Sequence, residues 1–307
     1  MKNLAPILLL GYKRPLHLKL AIDSLLRNPE APESVLYVAI DGPKTDEELD
    51  LVEKCRAIAT SITGFKKVIT IFQEANIGLA NSVIMNVSHV LSEHETIIVV
   101  EDDLVVSEQF LAFTNLGLEA YVKDLDVASI HGYQYPFKIS GNNCVFLRGA
   151  DCWGWATWKD RWSTVNFSAD ALIEEMLEKK LKAGFDLYGV APNFRMLQAQ
   201  ASHRIDSWAI RWHASMYIQE KYTLYPPSSL VLNCGLDGSG THEGKSQLFR
   251  NKLVHEMTWA FPSKVQGSQD FRNRLILFYM RAHAIRIAQR LSSWPSKLLK
   301  LIVGNLK

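Results

Sequence analysis

Three consecutive carboxylates, Glu101, Asp102 and Asp103, directly follow the apolar run 97–100, where a buried strand leaves its sheet. Carboxylates in such a place are costly unless something positive compensates them. A divalent cation carrying a diphosphate would do so, because hard Mg²⁺ or Mn²⁺ prefers one or two carboxylates together with phosphate oxygens. The plain alternative is that Asp102 or Asp103 caps the helix expected over 108–121. Four tryptophans, Trp153, Trp155, Trp158 and Trp162, fall within ten residues. The last three are spaced i, i+3, i+7, which predicts a helical core stripe, while Trp153 and Trp155 beside Gly154 could stack on the apolar face of a sugar ring. Two further segments carry chemistry: RIDSWAIRWHASMYIQ, with Asp206 just before a helix pattern, and LNCGLDGSGTHEG, whose glycines let backbone approach a ligand around His242.

The elements that must position these residues are legible as period and punctuation. Strand-like apolar runs at 5–10, 35–40, 68–72 and 97–100 alternate with helical patterns, each read as a strand buried on both faces. Thr45 and Glu48 form a capping box for the second helix, so the acidic run TDEELD reads as first-turn chemistry. Strand, helix, strand at this spacing predicts right-handed βαβ units and a mostly parallel α/β sheet. Ligands bind such sheets at the carboxyl ends of the strands. Those ends are polar here: GYKRP at 11–15, DGP at 41–43, QEANIGLANS at 73–82 and EDDL at 101–104. Neither GxGxxG nor GxxxxGK[ST] is present, which argues against a dinucleotide dehydrogenase and a P-loop NTPase.

The 307 residues, 48% hydrophobic and 21% charged, exclude a disordered, collagen-like or disulfide-scaffold chain. Four scattered cysteines without a CxxC pair argue against a zinc knuckle and fit a reducing compartment. The apolar run near the amino terminus is too short for a secretory signal, so a cytoplasmic location is expected. Net charge is uneven: residues 271–307 carry five Arg, three Lys and no acid. This basic, leucine-rich and Trp294-bearing tail predicts an amphipathic helix lying peripherally on an anionic membrane surface, rather than a nucleic-acid site; a packed terminal helix with a solvated basic face is the alternative.

The order GYKRP, DGP, NIGLANS, EDDL resembles nucleotide-sugar glycosyltransferases of the GT-A (Rossmann-like) fold. The chain is similar to family 2-like bacterial polysaccharide and lipopolysaccharide transferases, and EDDL also occurs in N-acetylglucosaminyltransferase I. The resemblance spans residues 6–244 and implies a nucleotide-sugar-binding half (1–125) and an acceptor-binding, catalytic half (126–250) of one domain, followed by a basic helical segment (251–307). It implies Arg14 near the nucleotide, Asp41 on the base, Glu101 and Asp102 on ribose and donor sugar, and Asp103 on Mn²⁺ or Mg²⁺. Asn76 and Gly78 would present a helix amino terminus to the donor, and His242 would touch metal or phosphate. DSW matches the acidic-Trp motif that holds the base in the transferases sharing EDDL, with Ser207 replacing one Asp. Asp206 is therefore the expected base, with Asp151 and Asp237 in reserve.

The expected activity is metal-dependent, inverting transfer from a nucleotide-diphosphate sugar, with UDP favoured, to a glycan or lipid-linked acceptor in cell-surface polysaccharide synthesis. Two alternatives stand beside it. A sugar-nucleotide pyrophosphorylase would need a glycine-rich phosphate loop where GYKRP lies. An inactive, membrane-docked glycan-binding module would not need EDDL, Asp206 and His242 together.

Overall fold

The computed structural model describes residues 4–137, 139, 141–235 and 247–292. In chain order the first half comprises β1 (Ile7–Gly11), α1 (Pro15–Leu26), β2 (Val35–Ile40), α2 (Leu49–Thr60), β3 (Lys67–Phe72), α3 (Leu79–Glu93), β4 (Thr96–Glu101), β5 (Leu104–Val106) and α4 (Phe110–Ala120). There follow β6 (Val127–His131), β7 (Val145–Arg148), β8 (Trp155–Trp158), α5 (Lys159–Trp162), α6 (Ala169–Glu178), α7 (Lys182–Phe185), α8 (Asn193–Ala201), α9 (Trp208–Ile218), β9 (Tyr222–Tyr225), β10 (Val231–Asn233) and α10 (Gln269–Ser292).

Eight strands form one sheet in the order β3-β2-β1-β4-β8-β6-β9-β7. β3, β2, β1 and β4 run parallel, β8 is antiparallel to both β4 and β6, and β9 is parallel to β6. The carboxyl ends of β1, β2, β3, β4, β6 and β9 therefore share one edge. This is the expected mostly parallel, helix-flanked, Rossmann-like α/β sheet. Strands from residues 1–125 and from 126–250 contribute to the same sheet. A separate ribbon, β5 against β10, stands over its edge.

The apolar runs fold as strands because burial on both faces rewards continuous apolar sequence: Ile7, Leu8, Leu9, Ile97, Ile98 and Val100 are all sealed from solvent. β3 departs from the expectation of two-sided burial. It is one of the two edge strands, and its side chains are exposed or half-buried, none fully buried. The expected capping box is also modified. Thr45 makes no capping bond, and the Glu48 carboxylate instead accepts from Lys44 N–H (2.9 Å), the Tyr12 hydroxyl and the Lys13 ammonium, tying the loop after β1 to the loop after β2.

The expected helix through Trp155, Trp158 and Trp162 is instead strand β8 followed by the single turn α5. Trp155 is 0% exposed and packs against Trp162, Trp208 and Trp212, with ring centroids 3.9–5.7 Å apart. These four indoles bind α9 to the sheet. At the other end, Phe271, Leu275 and Ala282 of α10 are buried, and Leu275 packs in a cluster with Leu187 and Ala191. The first turns of the basic tail are therefore part of the packed body. Leu277, Met280 and Ile285 of the same helix remain about half exposed beside the exposed Arg281. Trp294 and the rest of the tail lie outside the described residues. No helix among the described residues is long and apolar enough to cross a membrane.

Trp212→Ala removes from α9 an indole that touches the other three and should lower stability by about 3–5 kcal/mol. Urea unfolding monitored by fluorescence would measure this; a loss below about 1 kcal/mol would mean the indole cluster does not hold α9.

Candidate active site

β4 delivers Glu101 to the sheet edge, and the chain turns through Asp102 and Asp103 into β5. Arg14, at the junction of β1 and α1, answers them. Its Nε donates to Asp102 Oδ2 at 3.2 Å, its Nη2 donates to Asp102 Oδ1, and the same Nη2 reaches Asp103 Oδ2 at 3.1 Å. Asp102 is 4% exposed. Burial opposes the guanidinium's charge, but the two carboxylates outweigh it and push the Arg14 pKa up. Burial pushes Asp102 up as well, with Arg14 opposing. Burial, with repulsion from Asp103 and Asp102, pushes the Glu101 carboxyl up to about 8. Arg14 bonds to Asp102 and Asp103, so even with Glu101 protonated at neutral pH the two aspartates outnumber the guanidinium and negative charge at this edge is in excess.

Asp103 is held from its other side by the ribbon. Its carbonyl accepts from Cys234 N–H at 2.7 Å, and Gly235 packs so closely that a Cβ there would overlap the Asp103 carboxylate. Cys234 and Gly235 open the glycine-rich segment expected to let backbone approach a ligand; that Gly235 would wall the Asp103 carboxylate is a non-local fact which nothing in the segment distinguishes. His242 and Asp237 lie outside the described residues.

Asp41, expected on a nucleobase, is engaged within its own loop. Oδ1 accepts from Gly42 N–H (2.8 Å) and Ile77 N–H (3.0 Å), and Oδ2 accepts from Asn76 Nδ2 (3.0 Å) and Gly78 N–H (3.2 Å). Four donors fill the four lone-pair positions of a carboxylate, leaving none for a base N–H in this conformation. Burial pushes its pKa up, and the three backbone donors pull it back. Asn76 and Gly78 are thereby drawn to Asp41 instead of facing a free ligand position. Gly78 has φ +82°, a conformation that favours glycine, and opens α3.

The α3 amino terminus already receives an anion. Asp206 Oδ2 accepts from Ala80 N–H at 3.2 Å and would lie 3.0 Å from a Cβ at Gly78. The cap of α9 is Ser207, whose hydroxyl accepts from Ile210 N–H, so Asp206 is free of that duty and exposed. Asp41 and Asp206 therefore grip residues 76–80 from two sides.

Asp151 lies farther along the edge. Its Oδ2 accepts from the Tyr135 and Tyr225 hydroxyls (2.9 and 3.3 Å), and its Oδ1 accepts from Cys152 N–H. Burial, then Asp151, Glu101 and Asp103, push the Cys152 thiol up, which sets residues 151–152 beside the acidic row. Trp153 is half-buried, its backbone N–H donates to His131 Nε2 at 3.0 Å, and its ring meets Tyr133 edge-on at 4.7 Å. Of the two tryptophans expected to stack on sugar, only Trp153 retains exposed surface; Trp155 is excluded by its complete burial. Among the described residues, no group of three His, Cys, Asp or Glu side chains is placed to hold a metal ion by itself.

No protein-family model matches the chain, and no curated protein matches it. Solved structures similar to it include the mannosyltransferase PcManGT from Pyrobaculum calidifontis in complex with GDP-Man and Mn²⁺, at TM-score 0.37 and 9% identity over 71% of this chain and 70% of that one. A UDP-glucose pyrophosphorylase complexed with UDP-glucose aligns at TM-score 0.38 and 10% identity over 75% of this chain and 94% of that one. S. aureus TarS aligns at TM-score 0.29 and 16% identity over 45% of this chain, which spans 22% of the length of TarS.

Asp41→Asn places an amide N–H₂ against donors and should cost about 2–3 kcal/mol. Hydrogen exchange of the Ile77 and Gly78 amides should accelerate with it. Unchanged stability and exchange would mean the carboxylate does not organise this loop.

Proposed function

We propose that the protein is a glycosyltransferase that moves a sugar from a nucleotide-diphosphate donor, with UDP-sugars favoured, to a hydroxyl of a glycan or lipid-linked acceptor in cell-surface polysaccharide synthesis. The observation that carries this reading is the acidic row Glu101, Asp102, Asp103 with a single guanidinium, set at the carboxyl edge of a parallel sheet. That edge is where α/β sheets take ligands, and the excess negative charge suits a cation-bound diphosphate.

The residues fit a divalent ion of the Mg²⁺ or Mn²⁺ kind. One accessible carboxylate, Asp103, with diphosphate oxygens and water completing the shell, is the donor set such ions accept. When bound, the ion would neutralise charge building on the leaving diphosphate. Arg14 would bind phosphate, and Glu101 would meet donor-sugar hydroxyls. Trp153 offers the sugar an aromatic surface. A groove of about 420 Å³ beyond the ends of β6 and β9, lined by Gln134, Tyr135, Phe137, Ser228, Asn251 and Lys252, is of a size to take the acceptor.

Asp206 would act as base. Oδ2 is oriented by Ala80 N–H, which leaves Oδ1 to receive the acceptor hydroxyl proton. As that proton leaves, the acceptor oxygen bonds to the anomeric carbon, and the bond from that carbon to the diphosphate oxygen breaks. A single displacement of this kind inverts the anomeric centre. Asp151 is the reserve, with three of its acceptor positions already in use.

Two measurements test the chemistry. Asp103→Asn should abolish Mn²⁺-dependent stabilisation by UDP in thermal melting, and chelator should do the same to the unaltered protein; persistence of that stabilisation would refute the metal role. Asp206→Asn should lower turnover by roughly a hundredfold or more, with donor affinity little changed. Product of retained configuration, or near-normal turnover, would remove Asp206 from the role.

We also propose that the outer face of α10 meets an anionic membrane from the cytoplasmic side. Its half-exposed Leu277, Met280 and Ile285 flank Arg281, and the basic residues of the tail follow. The full chain should co-sediment with phosphatidylglycerol vesicles at low salt and not with phosphatidylcholine vesicles. A Leu277→Asp, Ile285→Asp double variant should lose this binding. Failure of the unaltered chain to bind anionic vesicles would overturn the assignment.

A further inference from the structure

The Arg14 fork is divided unequally. Asp102 is buried and takes both Nε and Nη2, whereas Asp103 is more open and shares only the Nη2 already given to Asp102. The buried acid requires the guanidinium, since an unpaired charge there is strongly unfavourable. The open acid does not, because water can solvate it. Yet Asp103 cannot move away from Arg14: Gly235 walls its carboxylate on one side, and Cys234 N–H holds its carbonyl. Arg14 itself is freer. It precedes Pro15 at the start of α1, its side chain caps nothing, and its stem is long.

We propose that Arg14 couples cation binding to nucleotide binding. This rests on the donor-site reading above and adds to it the order in which the site fills. Nη2 lies on the Asp103 oxygen that a divalent cation would take, so a cation arriving alone meets a like charge. A diphosphate offers the guanidinium a bidentate anion. Turning onto phosphate only the Nη2 hydrogen that faces Asp103, while Nε and the other Nη2 hydrogen stay with Asp102, clears Asp103, and the cation then meets the carboxylate and the phosphate together. Because such coupling is reciprocal, the cation raises nucleotide affinity by the same factor that the nucleotide raises cation affinity.

Isothermal calorimetry on the full chain tests this, with MnCl₂ titrated in the absence and presence of saturating UDP, and UDP titrated with and without Mn²⁺. The unaltered protein should bind Mn²⁺ about tenfold or more tightly with UDP, with the reciprocal factor for UDP. Arg14→Lys keeps a cation for Asp102 but lacks a fork able to bridge both acids. It should bind Mn²⁺ alone several-fold more tightly than the unaltered protein, and its UDP-dependent gain should shrink correspondingly. Thermal melting of the variant checks that it is folded. The inference falls if folded Arg14→Lys binds Mn²⁺ no more tightly and keeps the full coupling factor, while UDP and Mn²⁺ still bind. It falls without recourse to the variant if the unaltered protein binds Mn²⁺ equally well with and without UDP. Failure of every nucleotide tried to bind with Mn²⁺ would instead refute the donor-site reading, and the inference with it.

Discussion

Everything at the working edge of this molecule follows from how negative charge is tolerated there. Asp102 is buried at the mouth of a sheet whose central strands are apolar on both faces, and it is tolerated chiefly because Arg14 reaches across from the end of β1. That reach fixes the path of GYKRP between β1 and α1. Asp41 solves the same problem differently, by gathering three backbone N–H groups and one amide. The loop after β3 is shaped as a result. Charge compensation, more than loop sequence, decides how the polar strand ends are folded.

The second layer of control is apolar. Asp206 accepts from one backbone N–H, with the Arg211 guanidinium also feeling its charge, and its position is inherited from α9. That helix is located by Trp208 and Trp212 against Trp155 and Trp162. His213 extends the same support to the neighbouring segment, since its Nδ1 meets the Ala150 carbonyl at 2.7 Å, one residue before Asp151. Burial pushes the His213 pKa down, which keeps the ring neutral. Residues that touch no ligand in this reading therefore set the geometry of those that would.

Much of the fold was legible because its signals are local. The four parallel strands of the first half fall within a residue or two of their apolar runs, and the face of α9 bearing Trp208, Trp212, Ser215 and Ile218 is buried as its period predicts. Non-local facts were not legible. The edge position of β3 depends on which strand fails to find a neighbour, which its own composition does not reveal. Trp155 lies on a strand because β8 is paired on both sides, by β4 and β6, and pairing overrides the 3.6-residue period. At the site, the acidic row stood out by type and place and Arg14 entered through the family resemblance; their contact with each other was not legible. The saturation of Asp41 was hidden, since three of its four donors come from residues 76–78, after the next strand.

The antiparallel β8, spliced between two parallel groups, has a consequence for how the chain must be made. β4, with the run TIIVV, is left with one bare edge until residues 155–158 have been synthesised, because only β8 covers it. At about 5–20 residues per second the intervening chain takes on the order of several seconds to emerge. During that interval an apolar, hydrogen-bond-hungry strand edge is available to any other extended chain nearby. How long that edge stays open is set by translation speed between the codons for Glu101 and Trp158, so the pace of synthesis over this stretch bears on yield.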